Sequence, residues 1–183
     1  MTSTSPTMLG STKQRTITSK ARGDLGLQQP GVNYVSDVDN PWIPLTPMTD
    51  EVFVKYWKAD PVRAELIGSI KMPGRVELPT HYHTGLVVAH TISGVWRCKE
   101  ANWIARAGDT IYEVAGCART LESFDDTEIF VYQVGETLFL DEDNTIRWRE
   151  NPTTSIERYN RFCAHNGIRP RDLTGSQEAS SSC

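Results

Sequence analysis

"PGRVELPTHYHTGLVVAHTISG", residues 73–94, holds three of the four histidines in a chain of 183 residues. His81 and His83 stand two apart. That spacing places both imidazoles on one face of a β-strand, where they read as half of a metal site. Pro73-Gly74 and Ser93-Gly94 punctuate the stretch as turns. One strand is expected to run into His83 and the next to cover residues 85–92.

Similar short runs continue on both sides. Residues 52–57 and 64–72 precede the histidines. Residues 94–100, 102–107, 109–115, 119–124, 128–134 and 137–141 follow at near-even intervals. Many short strands at regular spacing predict an all-β sandwich or barrel. One helix is expected in "TSIERYNRFCAHNGI", 154–168, with Thr154 and Glu157 at capping-box spacing. Ile156, Tyr159 and Cys163 form its apolar stripe, and Gly167 is its natural stop. His165, near its end, reads as a solvent-facing residue. The expected layout is a tail over 1–30, a single β-domain over 31–150, a helical extension over 151–173 and a second tail over 174–183. Both tails are Ser/Thr-rich with little to bury and read as disordered.

Composition narrows the class. Hydrophobic residues make up 38% of the chain, and no apolar run reaches the length of a membrane span. Cys98, Cys117, Cys163 and Cys183 form no CxxC pair or zinc-like spacing, which favours a reduced, cytoplasmic setting. Lys13, Arg15, Lys20 and Arg22 give the first 23 residues a charge of +4, leaving −8 of the total −4 for the rest. A nucleic-acid partner would need a basic face on the folded domain, and none is visible. The basic, acid-free leader also resembles a mitochondrial transit peptide, but it lacks an apolar helical stripe.

Two motifs carry a resemblance. The first is Gly74, six residues, His81-x-His83, three residues, Val87, six residues, Gly94. The second is Gly108, five residues, Val114-Ala115-Gly116, two residues, Arg119, three residues, Ser123. These spacings resemble the two motifs of the cupins, with one extra residue in the first. The string "HYHTGLVVAHTISGVWRCKEANWIARAGDTIYEVAG" is similar to the dihydroxyacetophenone dioxygenase branch, over roughly 35–150 of the chain. The resemblance implies a single-domain jelly-roll barrel and a non-haem Fe(II) enzyme that cleaves a C–C bond next to a carbonyl. It also implies a small-molecule substrate and a homodimer.

Two positions depart from that pattern. Val87 stands where the first motif has Glu, and Arg119 where the second has His. A guanidinium has no free lone pair, so Arg119 is no ordinary ligand. Glu100, Glu113 and Cys117 are the candidates to complete a site begun by His81 and His83. Strand alternation turns His90 to the opposite face from Val87. Arg119 reads either as a surface residue or as a fixed cation in the pocket, where it would hold a carboxylate, phenolate or enolate. Beside two histidines it would lower their pKa and keep them neutral. Trp96, Phe130 and Tyr132 lie on expected strands, and inward members would give an aromatic lining.

Three functions follow from these residues. One is a dioxygenase-like cupin oxidoreductase on an aromatic or polyketide-derived carbonyl compound, in secondary or aromatic metabolism. Another is a metal-independent isomerase, cyclase or lyase, with His81 and His83 moving protons and Arg119 stabilising an oxyanion. The last is a non-catalytic small-molecule binder.

Overall fold

The computed structural model describes residues 35–175. The expected tail over 1–30, and all but the first two residues of that over 174–183, lie outside the described residues. Twelve strands are described: β1 (Ile43–Pro44), β2 (Phe53–Asp60), β3 (Glu65–Met72), β4 (Glu77–His83), β5 (Val87–Ser93), β6 (Val95–Cys98), β7 (Ala105–Arg106), β8 (Thr110–Glu113), β9 (Ala118–Ser123), β10 (Thr127–Val134), β11 (Thr137–Leu140) and β12 (Ile146–Glu150). One sheet runs β1-β2-β3-β10-β5-β8 and the other β12-β11-β4-β9-β6-β7, and every pairing is antiparallel. From β3 to β6, and again from β8 to β11, consecutive strands belong to opposite sheets. The result is a mostly-β jelly roll whose inner faces enclose a common core.

The alternation in the sequence explains the layers. On β5, Val87, Ala89 and Thr91 are buried, while His90 and Ile92 face solvent. Trp96 is the largest fully buried side chain, and its indole N–H donates to Thr91 Oγ1 at 2.9 Å. Burying that ring without a partner for the N–H would be costly. The run at 102–107 yields only the two residues of β7. The short β1 and the strand β12 were not among the expected runs. No helix among the described residues is long and apolar enough to cross a membrane.

The helix α1 spans Pro152–His165, starting two residues before the expected point. Its N-cap is Asn151, whose side chain accepts from the backbone of Thr153 and Thr154. Thr154 completes the capping box by accepting from the Asn151 backbone. Thr154 thus sits inside the helix, and Glu157 takes no part in the cap. Pro152 at the first helical position leaves no backbone donor unmet. The stop falls where expected: Gly167 has φ +65°, and Ile168 N–H returns to Cys163 O at 2.9 Å. His165 is exposed, as expected.

A buried ion pair fixes the helix to both sheets. Arg158 of α1 makes a two-pronged contact with Glu150 at the end of β12, its Nη2 lying 2.7 Å from Oε2. Tyr56 of β2 donates to Glu150 Oε1 at 3.0 Å, and Ser155 donates to the same oxygen at 2.7 Å. Arg158 Nε also reaches Thr46 O at 3.1 Å. Burial, then the Glu150 charge, pushes the Tyr56 phenol well above its ordinary value, so it stays a donor. Removing one member of such a pair leaves the other charge buried and unmatched. Arg158→Ala is therefore expected to destabilise the fold by about 3–5 kcal/mol in urea unfolding. Replacing Arg158 by Met together with Glu150 by Leu should cost much less.

Candidate functional site

The histidine strand is shaped by a bulge. Leu78 pairs with Leu121, and His81 pairs with Arg119. Three steps along β4 therefore match two along β9, so β4 carries one extra residue at Pro79-Thr80. This absorbs the additional residue of the first motif and lets Leu78, His81 and His83 all face inward. Proline is tolerated there because a bulge needs no ladder bond from it. The Pro79 carbonyl turns onto His81 Nδ1 at 2.8 Å. A carbonyl only accepts, so Nδ1 carries the proton and Nε2 keeps its lone pair.

Beyond His83, the β4–β5 turn is locked to the β10–β11 turn. Thr84 N–H donates to Glu136 O at 2.9 Å, and Glu136 N–H donates to Thr84 Oγ1 at 2.8 Å. A Cβ on Gly85 would stand 2.2 Å from Val134 O, and one on Gly135, where φ is +91°, would stand 2.6 Å from Thr84 Oγ1. The Thr-Gly after the histidines is thus a close backbone junction that holds the two turns together.

His81 and His83 line one cavity of about 100 Å³ between the sheets. Their rings meet edge to face at 5.0 Å. The other walls are mainly apolar, with Leu78, Val87, Trp96, Leu121 and Phe139 among them. Trp96 and Phe139 supply the aromatic lining. Phe130 and Tyr132 do not: Phe130 is exposed, and Tyr132, pointing the same way as Phe130 along β10, bonds Glu65. The sequence could not settle this, because every strand of a two-layer fold offers aromatics to both faces.

The structure sorts the other candidates. Arg119 lies directly across from His81 and is partly buried, although it is not among the residues that line the cavity. Its Nε is 3.0 Å from Glu113 Oε2. Glu113 is on β8 in the opposite sheet and lines the cavity, so this ion pair bridges the two sheets. Glu113 also accepts weakly from Cys98 Sγ at 3.9 Å. Glu100 is exposed, and its carboxylate is taken up by Thr120 N–H at 3.0 and 3.1 Å. Cys117 is exposed on the loop before β9 and does not line the cavity. Both are set aside as completing ligands. His90 is exposed on the outer face and bonds Thr110 at 2.9 Å, as alternation required. Cys98, which sequence reasoning had not singled out, is buried beside Glu113.

Burial governs the protonation states. It depresses the His81 imidazole, and the Arg119 charge adds to this against the Pro79 hydrogen bond and the Glu100 charge. His83 is lowered to about 3, by burial first and then by His81 and Arg119. Both rings are therefore neutral near neutral pH. Burial raises the Glu113 carboxyl against the pull of Arg119. The Cys98 thiol is pushed up to about 12 by burial and the Glu113 charge, so it stays protonated.

A three- or four-ligand iron centre needs convergent donors. His81 and His83 offer two lone pairs. Among the described residues, no group of three or more His, Cys, Asp or Glu side chains is placed to hold a metal ion. Arg119 occupies the third position with a positive charge, and Glu113 is committed to it. These residues do not fit a resident Fe(II).

Comparison with known proteins then fixes the family. No family model matches the chain, and neither does any curated protein. Among solved structures, an RmlC-like cupin protein from Ralstonia eutropha JMP134 is 42% identical, with a TM-score of 0.74, over 78% of this chain and 93% of that one. A protein of unknown function with a cupin-like fold from the same organism is 20% identical, with a TM-score of 0.72, over 80% and 94%. An acetylacetone dioxygenase from Acinetobacter johnsonii is 12% identical, with a TM-score of 0.63, over 82% and 97%. The last two show a shared fold. A two-sheet jelly roll with inward histidines on one strand is a cupin architecture, and the chain belongs to the RmlC-like cupins.

The depressed His83 has a thermodynamic consequence. Its folded-state pKa lies below the unfolded imidazole value, so acid favours the unfolded chain. The His83 contribution is full above about pH 6.5 and is lost as pH falls toward about 3. Each such proton steepens the loss by about 1.4 kcal/mol per pH unit. His83→Gln should flatten the stability profile between pH 6 and 4 by about one proton's slope, measured by urea unfolding at stepped pH. Equal slopes in the two proteins would contradict the assignment.

Proposed function

We propose that this cupin is an enzyme acting by acid–base chemistry, without a resident metal, on small open-chain enolisable carbonyl compounds of polyketide-derived type. The observation that carries this reading is Arg119 set across from His81, where a third neutral donor would otherwise complete a metal site. A neutral imidazole beside a guanidinium is arranged to remove a proton and hold the oxyanion that results. The cavity of about 100 Å³ is smaller than the roughly 150 Å³ that accepts benzene, so it suits a short open chain.

The step is a proton transfer. His83 Nε2 takes a proton from the carbon next to the carbonyl, and the electron pair moves onto the carbonyl oxygen. The resulting enolate oxygen accepts hydrogen bonds from the terminal nitrogens of Arg119. Before an anion forms beside it, His83 is a weak base, because its cation would stand near Arg119 among apolar walls. The enolate removes that obstacle by placing a negative charge between the two cations. Returning the proton to a different carbon gives an isomer. Attack of the enolate carbon on a second carbonyl closes a ring, and expulsion of a leaving group completes a lyase reaction.

The oxidoreductase reading has its own support in the fold shared with an acetylacetone dioxygenase and the open Nε2 lone pairs. There the same enolate would react with dioxygen as co-substrate. Both oxygen atoms would enter the products as the adjacent C–C bond breaks.

Acetylacetone in D2O provides the test. The chain should accelerate hydrogen–deuterium exchange next to the carbonyl, followed by NMR, with no effect of chelator and no oxygen uptake. His83→Gln should lower the enzymatic rate by about 10²–10⁴-fold, and Arg119→Gln should lower it by about 10²-fold. Oxygen uptake matching substrate loss would move the assignment to the oxidoreductase. Saturable binding without exchange would leave a small-molecule binder and overturn catalysis.

A further inference from the structure

His83 does not end the hydrogen-bonded network beside the β10–β11 turn. Its Nδ1 lies 3.1 Å from Thr137 Oγ1 on β11. Thr137 Oγ1 lies 2.9 Å from Gln133 Oε1 on β10. Gln133 Nε2 in turn lies 3.4 Å from the Gly135 carbonyl. The links join β4 and β11 of one sheet to β10 of the other, through the turn that Thr84 and Gly85 lock in place. Gln133 and Thr137 are both buried.

We propose that Thr137 and Gln133 are positioning residues that hold His83 in its Nδ1–H form and so expose Nε2 as the reactive nitrogen. The direction of every link is forced from the far end. The Gly135 carbonyl only accepts, so the Gln133 amide nitrogen faces it and the amide oxygen faces Thr137. That oxygen also only accepts, so it takes the single hydroxyl proton of Thr137. Thr137 then has only lone pairs to offer His83, and Nδ1 must donate. When Nε2 gains a proton, the positive ring is met by a hydroxyl whose own proton already points away. The chain thus fixes the ring angle and steadies the protonated form without adding a charge. The neighbouring ring is held the same way by a different device, the Pro79 carbonyl on His81. Both rings, which line the cavity, therefore keep a bare Nε2.

The catalytic part of this inference rests on the proposed function, whereas the tautomer does not. Two-bond ¹H–¹⁵N correlation on labelled full-length protein reads the tautomer directly, with His83 assigned by its loss in His83→Gln. His83 should show a protonated Nδ1 and a bare Nε2. Thr137→Val removes the acceptor and should shift the ring to the Nε2–H form. Thr137→Ser keeps the hydroxyl and should restore the native signal, which also excludes a mere folding defect. Gln133→Leu frees the Thr137 proton to point at Nδ1, so it too should shift the ring. In the exchange assay, Thr137→Val should lower kcat by about 10-fold or more with KM little changed, and Thr137→Ser should recover it. An Nε2–H ring in the native protein, or no change in Thr137→Val, would overturn the inference. The expected tautomers without turnover in any form would uphold the hydrogen-bond chain and overturn the proposed function instead.

Discussion

The bulge at Pro79-Thr80 is the constraint on which the site depends. β4 is a central strand, bonded to β9 on one side and β11 on the other. Its register is therefore held from both edges. A single extra residue in such a strand would normally turn every later side chain to the other face. Either Leu78 would leave the core or the two imidazoles would leave the cavity. Compressing the surplus residue into a bulge avoids both outcomes. It also presents the Pro79 carbonyl to His81, so the irregularity that corrects the register also sets the tautomer of one ring.

Charge balance at the cavity follows from the same strand pairing. His81 faces Arg119 across the β4–β9 ladder, and Val87 faces Glu113 across the β5–β8 ladder. Glu113 therefore stands one strand away from the position where the first motif would place its carboxylate. From there it reaches Arg119 rather than the imidazoles. A carboxylate near that corner is retained, but its partner is now an organic cation. The imidazoles stay neutral because burial and Arg119 both oppose their protonation. Two neutral rings beside an ion pair present two lone pairs and no third, whereas three bare donors would invite a metal.

Much of this was legible in residues 73–94. The His-x-His spacing, the turns at both ends and the alternation of Val87, His90 and Ile92 carried through to the structure. What the sequence left open had physical causes. Glu100, Glu113 and Cys117 are near in sequence or pairing to the histidines, and only the path of the 99–117 segment separates them: Glu100 is drawn outward by Thr120 N–H, Cys117 lies exposed, and Glu113 alone turns in. The helix start was misplaced because Asn151 and Thr154 make as good a capping pair as Thr154 and Glu157, and Pro152 decides between them. The Arg158–Glu150–Tyr56 cluster left no local signature, since its members come from α1, β12 and β2. The Thr137–Gln133 link was equally hidden. It exists only because β10 and β11 belong to different sheets and meet at one turn.

That turn connects the two halves of the argument. β10 and β11 belong to opposite sheets, so the turn between them crosses from one sheet to the other. Gly135 lets it fold tightly enough to meet Thr84, and Gly85 gives up its side chain so that Val134 O can approach. The histidine strand and the relay strands are thereby tied together at the point where His83 must be held. A looser turn would still permit the barrel, because the core below it is packed by Leu78, Leu121, Trp96 and Ile129. It would not hold Thr137 within hydrogen-bonding distance of Nδ1. The Thr-Gly that follows the two histidines therefore ties the position of His83 to the path of the β10–β11 turn.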